Sequence, residues 1–316
     1  MDGTDLQHRV LLAQVSQAYF VDGLSKIEVA DRFGVSRFQA ARLLDEARSS
    51  GVVTIEVHDP RLPRSSREAD LASLLNVRDV RIVDEQRDGL STRERVGTAV
   101  LLRVAELTRP GDTVGLSWSR TLDAAARFVP AMPTCTVVQL TGASEIGDGR
   151  TFAQLLTRLD QRGVNTMPLY APVVVDEVAT AQDLRRQPIV ADALRRADAL
   201  DVAVLAVGAW REGGSSIWTR VPPAARSDVA ESGVVAETAG IFFDASGREI
   251  RTSLDGRIIG VDLRQLHAAR HTVGFSAGEN RAEAVVAVAQ SGLFHSLIVD
   301  DSLAAALLGE MAAEVP

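Results

Sequence analysis

Two helix-start motifs stand close together near the beginning of the chain, and no other feature limits its fold as tightly. Ser25-Lys-Ile-Glu28 and Ser36-Arg-Phe-Gln39 are both capping boxes. In each, the serine oxygen accepts from an early backbone N–H while the residue three positions on reaches back to the serine's own N–H. The helix opened by the first box must therefore end before the second begins. Gly34 supplies the break, because the left-handed conformation that stops a helix carries no steric penalty for glycine. Ala30, four residues earlier, is small enough for a second helix to cross over it. Upstream, Leu11, Val15 and Tyr19 recur every four residues as one apolar stripe, and Asp22-Gly23 ends that helix. Downstream, Ala40, Leu43, Leu44 and Ala47 form the inner face of a helix closed by Gly51, with Val35 and Leu43 filling the space between helices. Val53, Ile55 and Val57 alternate with Thr54 and Glu56, as a half-buried strand should. Residues 8–57 thus read as three helices and a strand, a winged helix-turn-helix.

The outward arc of the helix after Ser36 is Phe38, Ala41, Arg42 and Asp45, with Arg37 beside it at the N-terminal end. A recognition helix presents its first turns to base edges of duplex DNA. Arg37, Phe38, Gln39, Ala41 and Arg42 are accordingly the candidate DNA-binding residues. Either arginine can grip a guanine edge or a phosphate. Gln39 has two readings, an adenine contact or completion of its own capping box. Residues 1–60 carry six basic and nine acidic groups, net −3, so one copy should bind weakly and several should cooperate.

Pro60-Arg-Leu-Pro-Arg-Ser-Ser-Arg67 has two prolines, three arginines and no apolar pattern, and reads as a linker. The expected organisation is a DNA-binding domain at 1–59, a linker at 60–67 and an effector-binding and oligomerisation domain at 68–316; 316 residues suit two cores. Beyond the linker, short β-branched runs alternate with helical stretches. The strands are Val80–Val83, Thr113–Leu116, Thr136–Leu140, Val202–Val207, His271–Phe275 and Leu297–Val299; the helices include 92–108, 151–162, 188–198 and 279–291. That alternation predicts an α/β domain with a mostly parallel sheet covered on both faces, a Rossmann-like arrangement. Phe242-Phe-Asp-Ala-Ser-Gly-Arg-Glu249 reads as a hairpin turning at Ser246-Gly247.

Other chemistries are poorly supported. The net charge of −8 argues against a protein that coats nucleic acid, though not against a local reader. Five histidines (His8, His58, His267, His271, His295) show no metal-ligand spacing, so neither a metal nor a cofactor is expected. Cys135 is the single cysteine and reads as a small core hydrophobe in a chain without disulfides, as in a reducing cytoplasm. Lys26 is the single lysine, so the large domain cannot form an imine through a lysine amine. No run approaches eighteen uncharged apolar residues, and the acidic start does not resemble a signal peptide.

In open α/β sheets ligands sit beyond the carboxyl ends of the strands. Three predicted loops lie there: Ser117-Trp-Ser-Arg-Thr121, Thr141-Gly-Ala-Ser-Glu-Ile-Gly-Asp-Gly149 and Ser276-Ala-Gly-Glu-Asn-Arg281. Hydroxyls, helix-start N–H groups and an arginine are what a phosphate needs, and Gly142 would let a ligand approach the backbone.

These runs also carry a family resemblance. Tyr19 to Arg37, Ala41 to Val53, Gly115-Leu-Ser-Trp-Ser-Arg-Thr-Leu122, Leu169-Tyr-Ala-Pro172, Ile241-Phe-Phe-Asp-Ala-Ser-Gly247 and Ala277-Gly-Glu-Asn-Arg-Ala-Glu-Ala284 together resemble the SorC family of sugar-responsive bacterial regulators, in order along nearly the whole chain. The resemblance implies an isomerase/CoA-transferase-like fold, a tetramer, and a phosphorylated sugar or polyol as effector. It makes Ser117, Ser119, Arg120, Thr121, Gly142 and Arg281 candidates for the effector site, with Glu237 and Asp244 as acceptors for sugar hydroxyls. Asp244 has a second reading, capping its own turn. The chain departs from the family in having Ser119 where glycine is usual and Arg281 where many members carry lysine, which leaves an unphosphorylated polyol or sugar acid open as the effector. The partners expected are therefore an operator duplex, a sugar effector and further copies of the chain, with no membrane. The rival readings are a sugar-phosphate isomerase or deaminase, since fold alone does not fix function, and a DNA-binding scaffold whose large domain only oligomerises.

Overall fold

The computed structural model describes residues 3–50, 52–53, 66–84, 89–143 and 153–313. The chain divides into two compact units, Met1–Pro63 and Arg64–Pro316.

In the first unit α1 (Gly3–Ser16) runs into a π-helical turn (Gln17–Val21), followed by α2 (Lys26–Phe33) and α3 (Arg37–Ser49). Both capping boxes form: Glu28 and Gln39 each accept the serine N–H at 2.8 Å, and each serine Oγ accepts in return at 3.3 and 3.2 Å. Gly34 takes φ +65°, and the chain leaves α2 through paired bonds, Val35 N–H to the Ala30 carbonyl at 3.0 Å and Gly34 N–H to the Asp31 carbonyl at 3.4 Å. This double closure requires a left-handed residue, which is why glycine stands there. No atom lies within 4 Å of a Cβ built on Gly34, so conformation rather than crowding is the constraint. Val15, Ala18, Val29, Ala30, Ala40 and Leu44 make the core, with Val35 and Leu43 packed against it as expected. Of the predicted wing, Ile55 and Val57 lie outside the described residues, as does most of the linker. Ser66 and Arg67, assigned above to the linker, instead begin the helix Ser66–Leu74. Arg67 is tied there by an ion pair to Asp301 at 2.6 Å.

Among its described residues the second unit has ten strands: β1 (Asp79–Val83), β2 (Thr113–Leu116), β3 (Thr136–Gln139), β4 (Asn165–Met167), β5 (Val202–Ala206), β6 (Gly208–Ala209), β7 (Ala236–Thr238), β8 (Ile241–Phe243), β9 (His271–Ser276) and β10 (Ser296–Asp300). Seven form one sheet in the order β1-β10-β9-β5-β2-β3-β4, every pairing parallel. β6, β7 and β8 form a small antiparallel sheet. Strands buried on both faces need apolar residues at successive positions, and β5 shows how they are used. Ala203 and Leu205 face one core, which takes in Leu71 and the helices Ala282–Gln290 and Asp301–Ala313. Val202 and Val204 face the other, with Val96, Leu122 and Leu155 from the helices Thr92–Leu107, Arg120–Ala124 and Ala153–Asp160. Cys135 is buried in that second core. The predicted strands and helices fall within a few residues of those seen, whereas β4 and the small sheet were not anticipated. The tight hairpin joins β7 to β8 through Ala239-Gly240, both at positive φ, as a two-residue turn matched to strand twist requires. The run 242–249 closes only as a bridge between Phe243 and Glu249.

Candidate functional site

From β2 the chain winds through β3 to β4 on one side, and β5 then returns beside β2 on the other, followed outward by β9 and β10. The winding reverses between β2 and β5, the place where a crevice opens beyond the strand ends. A cavity open to solvent lies there. Its walls come from the segments after β2, β3, β5 and β9 and from the β7–β8 turn. Of the residues proposed above, Ser117, Ser119, Arg120, Thr121, Gly142, Glu237 and Arg281 all line it.

Each is held by identifiable bonds. Ser117 Oγ accepts the Ala206 N–H at 2.9 Å and so ties β2 to β5 at the reversal. Ser119 Oγ accepts the Leu122 N–H at 3.0 Å, so the serine found where the family has glycine caps its own short helix. Gly142 is glycine because the Pro172 and Ala171 carbonyl oxygens lie 2.5 and 2.6 Å from where a Cβ would stand, and its N–H is spent on the Ile259 carbonyl at 2.8 Å. Its role is to let two chain segments approach. The rest of the loop expected through Gly149 lies outside the described residues. Arg281 follows Gly278, whose φ is +94° and whose N–H donates to the buried Asp300 carboxylate at 2.8 Å; Ser302 Oγ donates to the other oxygen at 2.6 Å.

Arg120 and Arg281 are half-buried and, among the described residues, form no ion pair with a carboxylate. Burial, and then the positive charge of Arg93, pulls the Arg120 guanidinium below its usual range. Burial also lowers Arg281, followed by repulsion from Arg120, Arg93 and Arg211, with Asp300 opposing. Arg93, Arg120 and Arg281 line one cavity and the last two are partly desolvated, an arrangement chemically suited to accept an anion. Glu237 is the opposite case, a carboxyl 6% exposed to which, among the described residues, no arginine is bonded. Burial raises it to about 7, partly offset by hydrogen bonds from the Gly240 N–H and the Ser215 hydroxyl. Gly240 N–H donates at 3.3 Å, and a Cβ on Gly208 would stand 3.0 Å from Glu237 Oε1.

Asp244 is not brought to the cavity. Its Oδ1 accepts from Ser246 N–H, Ser246 Oγ and Arg248 N–H at 2.9, 2.6 and 3.0 Å, and its Oδ2 pairs with Arg248 at 3.0 Å. The Ser246 hydroxyl leads the causes that lower its pKa to about 2. The carboxylate is engaged by its own turn, the second of the two readings given for it.

Four contributors escaped the sequence reading. Arg93 belongs to a third capping box, Ser91-Thr-Arg-Glu94, and reaches the cavity because Gly97 lets its helix lie against the Thr121 carbonyl, 2.4 Å from where a Cβ would stand. Ser215 and Ser216 come from a connection after β6, and Asp300 from the end of β10. The capping box was a visible signal for Arg93; nothing local marks the other three.

In the first unit Arg37, Phe38, Gln39 and Arg42 are exposed on α3 and Ala41 is half-buried. Phe38 is 90% exposed. Of the two readings for Gln39, the capping contact forms, its Oε1 accepting the Ser36 N–H.

Residues 62–309 match the profile of a protein family described as "Putative sugar-binding domain". The chain is 25% identical over 302 residues to the transcriptional regulator LsrR of Escherichia coli strain K12, covering 94% of each chain, and 24% identical to that of Enterobacter sp. strain 638, covering 97% and 95%. Among solved structures it is similar to the full-length sorbitol operon regulator SorC of Klebsiella pneumoniae, with a TM-score of 0.74, 19% identity and coverage of 98% and 99%. A structure described as a domain of a possible sugar-binding transcriptional regulator from Arthrobacter aurescens TC1 gives a TM-score of 0.68 at 21% identity, covering 79% of this chain and 100% of that one. Among the described residues no helix is long and apolar enough to cross a membrane. The chain belongs to this sugar-binding-domain family and, carrying a helix-turn-helix ahead of it, to the SorC family of sugar-responsive transcriptional regulators.

Proposed function

We propose that the chain is a homo-oligomeric, non-enzymatic regulator whose α3 reads an operator duplex, and whose affinity for it is set by a phosphorylated sugar or polyol in the cavity. The observation that carries the phosphate reading is the meeting of Arg93, Arg120 and Arg281 in a cavity that also holds the buried Glu237. Guanidinium groups suit a phosphate, and a buried carboxyl suits hydroxyl donors. Arg37, Phe38, Ala41 and Arg42 are the proposed DNA contacts. Paired half-sites need paired readers, which supports an oligomer held by residues 64–316. Light scattering on that fragment tests this point, and a monomer at micromolar concentration would refute it. For the effector to regulate, it must bind one arrangement of the protein better than another. Calorimetry against pentose, hexose and tetritol phosphates tests the ligand class. Binding of the unphosphorylated sugars as tightly as of their phosphates would remove the phosphate.

A carboxyl raised to about 7 in a cavity is also what a proton-transferring isomerase would use. Among the described residues of the lining, Glu237 is the single carboxylate, and no histidine, lysine or cysteine stands there to act with it. Isomerisation of any sugar phosphate, followed by proton NMR in D2O, would favour the enzyme.

A further inference from the structure

Arg120 and Arg281 come from different loops yet end on one atom. Arg120 Nη2 donates to the Gly213 carbonyl at 2.8 Å and Arg281 Nη2 donates to the same oxygen at 3.2 Å. A peptide carbonyl carries only a partial charge, a weak match for two half-buried guanidinium groups that repel each other. Gly213 is the exposed tip of a connection whose ends are fixed. On one side Arg211 N–H donates to the Ala209 carbonyl at 2.8 Å, and a Cβ on Gly214 would strike that same oxygen at 2.3 Å. On the other, the buried Ser215 Oγ accepts the Ile217 N–H at 3.1 Å. Trp210 and Trp218 bracket the segment with ring centroids 5.2 Å apart, and Trp210 packs on Phe242 at 5.1 Å. The tip itself is unencumbered: Gly213 has φ +70° and nothing within 4 Å of a Cβ position.

We infer that the Gly213 carbonyl is an internal stand-in for an anionic oxygen of the effector, and that the effector binds by displacing the Arg211–Ser216 tip. The inference rests on the proposed anion site. Its logic is competition. A phosphate offers both arginines full negative charge on separate oxygens, whereas the carbonyl offers one neutral oxygen to both. Once the arginines turn to the anion, the tip loses the two bonds that hold it, and its anchored ends confine the change to a few residues. The segment is then released by ligand rather than closed over it, the reverse of an ordinary lid. Binding is thereby coupled to a local order–disorder change, a route by which an occupied cavity can alter the surface of its own unit.

The opposite signs separate the two behaviours. Hydrogen exchange of the full chain is measured with and without saturating inorganic phosphate. Amides of 117–121 and 278–281 should slow, while those of 211–216 should speed up. In parallel, Gly213→Ala carries a methyl group at a left-handed φ, which costs a non-glycine residue about a fivefold factor in favour of leaving that conformation. It weakens the stand-in and should tighten inorganic phosphate binding by about fivefold in calorimetry. Slower exchange at 211–216, or a Gly213→Ala chain that binds phosphate equally or more weakly, would overturn the displacement and leave the anion site in place. No heat, together with no protection at 117–121, would remove the site itself and the inference with it.

Discussion

Arg37 and Arg42 stand in solvent on the first turns of α3, whereas Arg120 and Arg281 lie half-buried at the sheet's reversal point, hydrogen-bonded to a carbonyl. The same side chain thus works in two dielectric settings. An exposed guanidinium keeps its water and interacts with a polyanion through a screened field, so its contribution is modest, salt-dependent and summed over many contacts. A desolvated one has already lost part of its hydration, so a compact anion placed against it gains more per contact and is screened less. On the proposed reading the first unit, at net −2 over residues 1–63, depends on repetition and geometry. The second depends on burial.

Four measurements would break or sharpen that contrast. The largest effect should come from Glu237. Its carboxyl is raised from 4.5 to about 7 in the folded chain, so between those values the folded state holds a proton that the unfolded state has lost. The ionisation penalty is absent below about pH 4.5 and reaches roughly 3 kcal/mol above pH 7, at about 1.4 kcal/mol per pKa unit. Stability of the ligand-free 64–316 unit should fall over that window, and Glu237→Gln should flatten the fall. Identical pH profiles of Tm for the two proteins would show that burial does not govern this carboxyl. Next, Arg120→Ala should weaken phosphate-ester binding by ~1.5–3 kcal/mol, the range for hydrogen bonds to charged groups, while leaving ligand-free DNA binding intact. Calorimetry and fluorescence anisotropy on the same preparations decide this, and equal losses in both assays would contradict the division of labour. Third, Arg42→Ala should weaken operator binding by ~1–3 kcal/mol if it reads a base, or lower the salt slope by about one if it meets a phosphate. Neither change, alone or combined with Arg37→Ala, would move the recognition surface off α3. The smallest effect is local. Ser36→Ala removes a cap and should destabilise the first unit by about 1 kcal/mol in denaturant melts. Ser25→Ala should do the same, and a null result for both would mean that tertiary packing alone sets these helix ends.

The three helices of the first unit and the corner between the last two were legible because their determinants are short-range, while the predicted wing falls outside the described residues. A capping box spans four positions, and Gly34 acts within the turn that it makes. The strands of the large unit were legible for a related reason: burial on both faces writes an uninterrupted apolar run. β4 (Asn165–Met167) escaped because an edge strand of three residues leaves no such run. The hairpin was misplaced for a different reason. Asp244-Ala-Ser-Gly247 has strong turn chemistry, and a turn does form there, but its residues bond to one another and end in a single bridge. Ala239-Gly240, with an alanine forced to φ +50°, carries the tighter hairpin without the usual sequence mark.

What the sequence determined by itself was the order of elements, the helix-turn-helix corner and the presence of arginine and hydroxyl groups in loops after strands. Each follows from interactions between residues no more than a few positions apart, or from the periodicity that burial imposes. Which loops meet was decided by the tertiary structure. The parallel order β9-β5-β2-β3 sets Arg120, Glu237 and Arg281 around one cavity and leaves Asp244 outside it. Gly97, Gly142 and Gly208 are permissive in sequence but become necessary only when a carbonyl or carboxylate from a distant segment arrives within about 3 Å of where a Cβ would be. The charge states follow the same division. Glu237 is an ordinary glutamate until folding removes its water, and the environment that changes it is assembled from residues far apart in the chain.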